Sequence, residues 1–246
     1  MIERLHLTRR QLLARLAEDG APGATSYRPP GTATPLAALP LPPIRAVWPE
    51  DGERLAEVAL ASETGSVLFA DASEALLVLP PFPVEAAIDY SELYAAPLRD
   101  ALERRRSVAV LLLRLGGFSV GFFRGEALVD AKTDQRFVKN RHRKGGQSQR
   151  RFDRIREKQT DELFGKACET SREKLTPYEA EIEHVLFGGD RHTLQAFHKQ
   201  CSYFERFGAR VMRRVLPVAG DPRRASLEAM PREVWSSDVY VARSET

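Results

Sequence analysis

The stretch Ser107–Asp130, SVAVLLLRLGGFSVGFFRGEALVD, contains three consecutive strand signals. Its first seven residues form a nearly continuous apolar run, which is typical of a central strand covered on both faces. Gly116 and Gly117 predict a tight turn, after which residues 118–123 pair back onto the first strand. Gly125 predicts a second turn into the strand that begins at Ala127. The stretch therefore predicts a meander of three antiparallel strands.

Helices and strands alternate on both sides of this meander. The upstream sequence predicts strands over 67–70 and 75–79 and a helix over 90–106. The downstream sequence first predicts a helix from Ser148, its N-cap, to about Lys174 and a strand over 183–187. It then predicts a helix that is capped by Asp190 and runs through about Phe204, and a strand over 209–216. A turn and helix over 222–230 and a last strand over 234–241 follow. We therefore predict an α/β domain with a mixed β-sheet and flanking helices, of which a ribonuclease-H-like sheet is one example.

The N-terminal residues have a different composition from the rest of the chain. Leucines at helical spacing predict an amphipathic helix over residues 1–19. Residues 21–43 are rich in Pro, Gly, Ala and Thr, which indicates a linker or an extended surface segment. We therefore predict two parts: an N-terminal helix with its linker, residues 1–43, and a main domain, residues 44–246.

Positive charge is concentrated in one segment. The whole chain of 246 residues carries a formal net charge of +3. The window from Lys132 to Lys158 contains eleven Lys and Arg and three acidic residues, so its net charge is +8 and that of the remainder is −5. This distribution indicates a surface that binds a polyanion.

Within this window, Gly145-Gly146-Gln147 stands between basic residues and the predicted helix. Taken alone, the tripeptide predicts no more than a flexible turn before a helix. Its context favours a functional tip, because glycine permits positive φ and a close approach of the backbone to RNA. The expected RNA-binding residues flank the tip on both sides: Lys139, Arg141, His142, Arg143, Lys144, Arg150, Arg151, Arg154 and Lys158.

Cysteine usage and hydropathy indicate the cellular compartment in which the protein is expected. Only two cysteines, Cys168 and Cys201, are present, which argues against a disulfide framework and fits a reducing compartment. Cys201 with His192 and His198 matches no zinc spacing, so no metal site is predicted. The N-terminus has no apolar core of signal-peptide length, and no apolar run approaches the length of a membrane span. We expect a cytoplasmic protein that binds no membrane and is monomeric when free.

The segment that begins at Gly145 resembles the middle domain of the class-I release factors of eukaryotes and archaea. In that family Gly-Gly-Gln-Ser is followed by Arg-Phe, then by Arg with an apolar residue, then by Arg and Glu, and residues 145–158 carry this order. The meander upstream is also similar to the sheet of that domain, so the resemblance covers about residues 105–200. It implies a ribonuclease-H-like middle domain with a long basic loop and helix, and makes residues 44–246 a release-factor-like catalytic domain. Bacterial release factors carry Gly-Gly-Gln on another fold and fit less well.

The sequence departs from those factors upstream of the meander, where it lacks the Asn-Ile-Lys-Ser signature of the domain that reads stop codons. We also expect no separate partner-binding C-terminal domain. The chain is most similar to the Vms-like branch of release-factor relatives, including actinobacterial members, which are peptidyl-tRNA hydrolases implicated in ribosome rescue. This resemblance implies stop-codon-independent cleavage of the peptide–tRNA ester of stalled chains. It also implies the large ribosomal subunit, rRNA and peptidyl-tRNA as partners, and no cofactor.

The resemblance also assigns the chemistry of the tip. The backbone N–H of Gln147 is expected to stabilise the developing oxyanion or the leaving group, while its side-chain amide positions the attacking water. Gly145 and Gly146 give the backbone the freedom to reach that geometry. Gln149 is a second candidate, for which a first-turn position facing solvent or RNA is the preferred interpretation.

Two other functions stay open from the sequence alone. The basic loop could anchor a non-catalytic module to ribosomes or to structured RNA. A metal-dependent nuclease of ribonuclease-H type would need clustered carboxylates to hold its metal ions. Asp71, Asp130 and Asp190 lie near predicted strand ends, although each is better explained as a turn or cap residue.

Overall fold

The computed structural model describes residues 2–16, 18–32, 49–135 and 147–243. The chain divides into two compact units, residues 1–104 with 234–246 and residues 105–233. Strands and helices occur in both units, so the predicted mixed α/β class is confirmed. The division differs from the predicted one between residues 43 and 44, because segments on both sides of that point belong to one sheet.

The first unit contains a six-stranded antiparallel sheet. Its strands, numbered in chain order, are β1 (Ile2–Leu7), β2 (Ala21–Arg28), β3 (Ser66–Ala70), β4 (Glu74–Leu79), β5 (Ile88–Leu93) and β11 (Ser237–Arg243). Their spatial order is β1-β11-β4-β3-β2-β5. Helices α1 (Arg9–Arg15) and α3 (Ala96–Glu103) contribute to one apolar cluster with this sheet, and α2 (Pro49–Ala61) contributes to another.

Three predictions for this unit are wrong. Residues 2–7, predicted as helix, form β1, because they pair with β11 in a register that runs from Ile2↔Ala242 to Leu7↔Ser237. Only Arg9–Arg15 is helical in the predicted 1–19 helix. Residues 21–28, predicted as linker, form β2 between β3 and β5. Residues 90–93, predicted as helix, belong to β5. In the rest of the predicted linker, residues 29–32 lie in neither helix nor strand, and residues 33–43 lie outside the described residues.

The second unit contains the meander and two further strands. Its strands are β6 (Ser107–Arg114), β7 (Gly117–Arg124), β8 (Ala127–Gln135), β9 (His184–Gly189) and β10 (Val211–Leu216). Their order is β10-β9-β6-β7-β8, with antiparallel pairing through β6, β7 and β8 and parallel pairing through β6, β9 and β10. The predicted meander is confirmed, and its apolar strand β6 is the central strand, with residues 108–113 fully buried.

Helices of the second unit cover both faces of this sheet, because Phe118, Val120 and Phe122 share an apolar cluster with two helices whereas Gly121, on the other face, lies against Leu227 of a third. They are α4 (Gln147–Leu175), α5 (Arg191–Gln200) and α6 (Arg224–Glu228), with the short α7 (Pro231–Val234) at the boundary between the units. The predicted helix from Ser148 to Lys174 is confirmed, except that Ser148, predicted as the N-cap, lies inside it. The predicted 190–204 helix ends at Gln200 and is followed by 3₁₀ turns over Ser202–Arg210. No helix within the described ranges has the length and apolar character needed to cross a membrane.

Asp190 caps α5 as predicted, and the cap makes a test of stability. Its carboxylate accepts hydrogen bonds from the backbone N–H and the hydroxyl of Thr193. These bonds, the backbone one above all, hold the pKa of Asp190 below its ordinary value. Because the folded pKa is the lower one, the cap stabilises the folded protein at neutral pH and this contribution is lost as pH falls through that value.

We therefore expect Asp190→Ala to lower the free energy of unfolding by about 1 kcal/mol at pH 7. Urea unfolding at a series of pH values provides the measurement. The difference in the free energy of unfolding between the variant and the unmodified protein should become smaller as the pH falls. Asp100→Ala, which removes an exposed carboxylate from α3, is the control and should change stability by less than about 0.5 kcal/mol. An equal loss of unfolding free energy at every pH would contradict the role of the ionised Asp190 carboxylate as the cap.

Candidate functional site

The predicted catalytic tip lies at the start of α4. Gln147 is the first residue of this helix, and Gln149 and Arg150 belong to the same first turn. The other predicted tip and loop residues lie outside the described residues: Lys139, Arg141, His142, Arg143, Lys144, Gly145 and Gly146. The structure thus places the C-terminal end of the predicted site on a defined helix.

Helix α4 has two halves with different surroundings. Its C-terminal half is packed in the core, where Leu163, Phe164, Ala167 and Leu175 are buried. From residue 151 to 162, every side chain that the structure describes is exposed or half-buried. We call residues 147–162 the arm. At a rise of 1.5 Å per residue, the arm places Gln147 roughly 24 Å from the first fully packed turn.

Three of the predicted RNA-binding residues share one face of the arm. Arg151, Arg154 and Lys158 are spaced by three and four residues, which brings side chains together on a helix, and all three are exposed. Lys158 is 80% exposed, and its Nζ lies 3.9 Å from a carboxylate oxygen of Glu162. We call these three residues the basic stripe. The stripe therefore concentrates positive charge on one exposed face of the arm.

A row of carboxylates occupies another face of the arm. Asp153, Glu157 and Asp161 are spaced by four residues and line a cleft of about 440 Å³ with Ala196 and Gln200 of α5. Gln200 Nε2 donates a hydrogen bond to Asp161 Oδ1 at 2.7 Å. Arg156 lines the same cleft, so the face toward α5 carries three carboxylates and one guanidinium, whereas the basic stripe lies on another face. Sequence reasoning missed this row, although its i, i+4, i+8 spacing was readable.

The N-terminal end of α4 has a favourable field for negative charge. The first N–H groups of a helix have no partner within it and carry a positive partial charge. Residues 147–150 include no acidic side chain that would cancel this charge. A group that becomes negative during a reaction is therefore stabilised next to Gln147.

Cys168 and Cys201 form a disulfide, so the expectation that they would stay unbonded is wrong. Their Cα atoms lie 5.6 Å apart, a normal separation for a cystine. Cys168 lies on α4, and Cys201 directly follows α5. The packing of the two helices brings the sulfurs together, and their spacing in the sequence gives no sign of it.

The carboxylates considered for a nuclease have separate structural roles. Asp71 accepts hydrogen bonds from the backbone N–H groups of Ser73 and Glu74 in the turn between β3 and β4. Asp130 on β8 pairs with Lys174 Nζ at 3.3 Å, and Asp190 caps α5. In the described part of the chain, no three His, Cys, Asp or Glu side chains converge in a way that could hold a metal ion.

His198 lines one pocket with Cys201, but among the described residues these two and His192 do not form a group that could hold a metal ion. The ring of His198 packs edge-on against Phe187, with centroids 4.4 Å apart. Burial lowers the pKa of His198. His192 is an exposed residue in the first turn of α5, and Cys201 is bonded to Cys168.

A hydrogen-bonded Ser–His–Asp chain occurs in the first unit. His6 Nε2 lies 2.8 Å from Ser236 Oγ, and His6 Nδ1 lies 3.0 Å from Asp238 Oδ1. Burial opposes ionisation of Asp238, but hydrogen bonds from His6 and Arg4 outweigh it, and the pKa of Asp238 is lowered. Ser236 is 1% exposed, so a substrate cannot reach its hydroxyl. The hydrogen bonds among Ser236, His6 and Asp238 therefore link β1 to the start of β11, a role that sequence reasoning missed.

Comparison with known proteins finds relatives for the second unit. Residues 105–240 match the family model of the Actinobacteria/Chloroflexi VLRF1 release factor. The peptide chain release factor subunit 1 of Archaeoglobus fulgidus is 30% identical over 125 residues, and that of Methanopyrus kandleri is 31% identical over 123 residues. These matches span 50% and 49% of this chain but only 31% and 30% of those proteins. The crystal structure of an archaeal translation termination factor, aRF1, is 18% identical with a TM-score of 0.39, over 93% of this chain and 73% of that one.

Proposed function

Because the chain belongs to the Actinobacteria/Chloroflexi VLRF1 release factor family, we propose that it is a peptidyl-tRNA hydrolase. Its substrate is the ester that joins a stalled nascent peptide to tRNA on the large ribosomal subunit. The observation that carries the proposal is the position of Gln147 at the positive end of a helix whose exposed face bears the basic stripe. Residues 105–233, within the predicted domain 44–246, are the part that performs the reaction.

The chemistry requires a placed water and a stabilised oxyanion. Water attacks the ester carbonyl, negative charge develops on the carbonyl oxygen, and the tRNA 3′ oxygen leaves. The N–H of Gln147 donates to that oxygen or to the leaving group, and the field of α4 adds to the stabilisation. The side-chain amide of Gln147 positions the water because it both donates and accepts. An amide is not a general base, so proton transfer falls to groups of the ribosome and the tRNA.

The arm supplies affinity and orientation. The basic stripe neutralises rRNA and tRNA phosphates, and the lysines and arginines of residues 139–144 add further positive charge to the same part of the sequence. The carboxylate row repels phosphate, so RNA lies along one flank of the arm. This asymmetry fixes the rotation of α4 and hence the direction in which Gln147 faces.

We propose rescue of stalled chains as the biological setting. The match to the VLRF1 release factor family supports this setting. The strand order β10-β9-β6-β7-β8, a meander continued by two parallel strands, supports the ribonuclease-H-like form of the domain. A role on ribosomes implies a cytoplasmic protein, and we propose that it is a monomer when free.

The decisive experiment measures release directly. Purified protein is added at constant Mg²⁺ to large subunits that carry peptidyl-tRNA with a labelled peptide and no mRNA. We expect free peptide and full-length tRNA as products. A separate reaction with labelled free tRNA, with Mg²⁺ or with EDTA, tests for nuclease activity.

Each outcome selects one of the three functions. Release of peptide with intact tRNA supports the hydrolase. Tight binding to the subunit without release would reject it in favour of an RNA-binding module. Shortened tRNA that appears only with Mg²⁺ would instead identify a metal-dependent nuclease.

A further inference from the structure

One face of α4 is connected to the segment over residues 197–203 by a row of contacts. The row begins where the arm ends and continues into the packed half of the helix. Its members on α4 are spaced by three, four and four residues, so they share a face. The four contacts are Asp161 with Gln200, Phe164 with Phe197, Cys168 with Cys201, and Arg172 with Tyr203.

The disulfide is the covalent member of this row. The phenyl rings of Phe164 and Phe197 meet edge to face with centroids 5.7 Å apart, and the guanidinium of Arg172 lies 5.9 Å from the centre of the Tyr203 ring. Such contacts tolerate small rotations of one helix against another. A bond between Cys168 and Cys201 does not, because it fixes the separation of the two backbones.

The position of this bond makes the location of Gln147 sensitive to the tilt of α4 at the disulfide. Gln147 lies 21 residues before Cys168 on the same helix, a distance of about 32 Å along the axis. A tilt of α4 by about 5° at the disulfide therefore moves Gln147 by about 3 Å. A misplacement of about 1 Å can reduce a reaction rate about 100-fold.

We propose that the Cys168–Cys201 pair is a redox-controlled positioning element for Gln147. The disulfide holds α4 in the orientation that supports peptide release, and reduction lowers the rate of release. This inference rests on the proposed hydrolase function. The chain has no other cysteine, so both of its thiols serve this bond. In a reducing cytoplasm, disulfides of this kind are typically transient and respond to redox conditions.

The chemistry is thiol–disulfide exchange with a low-molecular-weight dithiol. Cys201 is buried, whereas Cys168 is half-buried, so a thiolate of the dithiol attacks Cys168 Sγ. A mixed disulfide forms on Cys168, and Cys201 leaves as a thiolate that takes up a proton. The second thiol of the reductant then displaces Cys168, which yields two cysteine thiols and the oxidised dithiol. Two electrons and two protons are transferred in total.

The test compares oxidised and reduced forms of the full chain. Protein is treated with dithiothreitol, freed of it under nitrogen and assayed for peptide release from large subunits carrying peptidyl-tRNA. We expect kcat to fall at least about ten-fold with little change in KM, and diamide to restore it. Amide hydrogen exchange should accelerate over residues 161–171, which reports the positioning of α4 independently of release.

Variants separate positioning from folding. Cys168→Ser/Cys201→Ser should show the low rate under all redox conditions while circular dichroism and cooperative unfolding are retained. Ser119→Ala removes a buried hydrogen bond to Thr133 on the sheet face opposite Phe118, and controls for general weakening of this unit. It should leave both release and its redox response unchanged.

The outcomes keep the two proposals apart. Equal release by oxidised and reduced protein would overturn redox control while leaving the hydrolase intact. Unchanged exchange over residues 161–171 would overturn the positioning role, whatever the rates. Oxidised protein that binds subunits but releases nothing would overturn the hydrolase and, with it, control of release.

Discussion

Gln147→Ala is expected to reduce the rate of peptide release by about 10²–10³-fold, with subunit affinity unchanged. Loss of one well-placed donor at a developing oxyanion typically has an effect of this size, and loss of a positioned water is comparable. The substitution leaves the backbone N–H and the helix in place, since alanine has the highest helix propensity. The change should therefore appear in kcat rather than in KM, in single-turnover and steady-state assays on large subunits.

Gln149→Ala is the matched control for this prediction. It makes the same chemical change two residues further along the same helical turn. We expect its release rate to stay within about three-fold of the unmodified protein, because we interpret Gln149 as a first-turn residue that faces solvent or RNA. A full loss in Gln149→Ala combined with normal release by Gln147→Ala would reverse the assignment of the two glutamines.

Removal of the basic stripe should weaken binding in a salt-dependent manner. Replacing Arg151, Arg154 and Lys158 together by Gln removes three cations from one exposed face of the arm. If each contacts one phosphate, the slope of log affinity against log salt becomes shallower by about 3. Affinity for the subunit at about 0.1 M salt should fall at least about ten-fold, with kcat at saturation little changed. Filter binding over a salt series provides the measurement.

The opposite flank of the arm supplies the control for the stripe. Asp153→Asn/Glu157→Gln removes two charges at the same depth along the helix, from the face that lines the cleft with α5. Binding should hold or strengthen, because the lost carboxylates repel phosphate. Equal weakening by both variants would show that affinity follows from the integrity of α4 and not from its stripe.

The second unit was predictable from sequence because its signals are local. The apolar run of β6 and the glycines of the following turns identify the meander within a single stretch. The predicted ends of helix α4, Ser148 and about Lys174, lie within one residue of the observed ends, although the predicted N-cap lies inside the helix. The Gly-Gly-Gln tip and its basic flanks were predicted from motif, charge and family resemblance, and their role stays a prediction.

The first unit and the disulfide between α4 and the end of α5 were not predictable in this way. β1 was taken for helix because its partner, β11, lies at the other end of the chain, and no local pattern reports such a pairing. β2 was taken for linker because its Pro and Gly content outweighed five buried positions that packing selects. The Cys168–Cys201 bond depends on how two helices meet, which is a property of packing and not of spacing.

The pairing of β1 with β11 sets an order of assembly during synthesis. All five strands of the second sheet have been translated by Leu216, whereas the first sheet lacks β11 until Arg243 has left the exit tunnel. Until then β4 has one open edge and β1 has no neighbour, so the second unit is able to fold earlier. A nascent chain interrupted before Ser237 would therefore carry a complete arm beside an unfinished sheet.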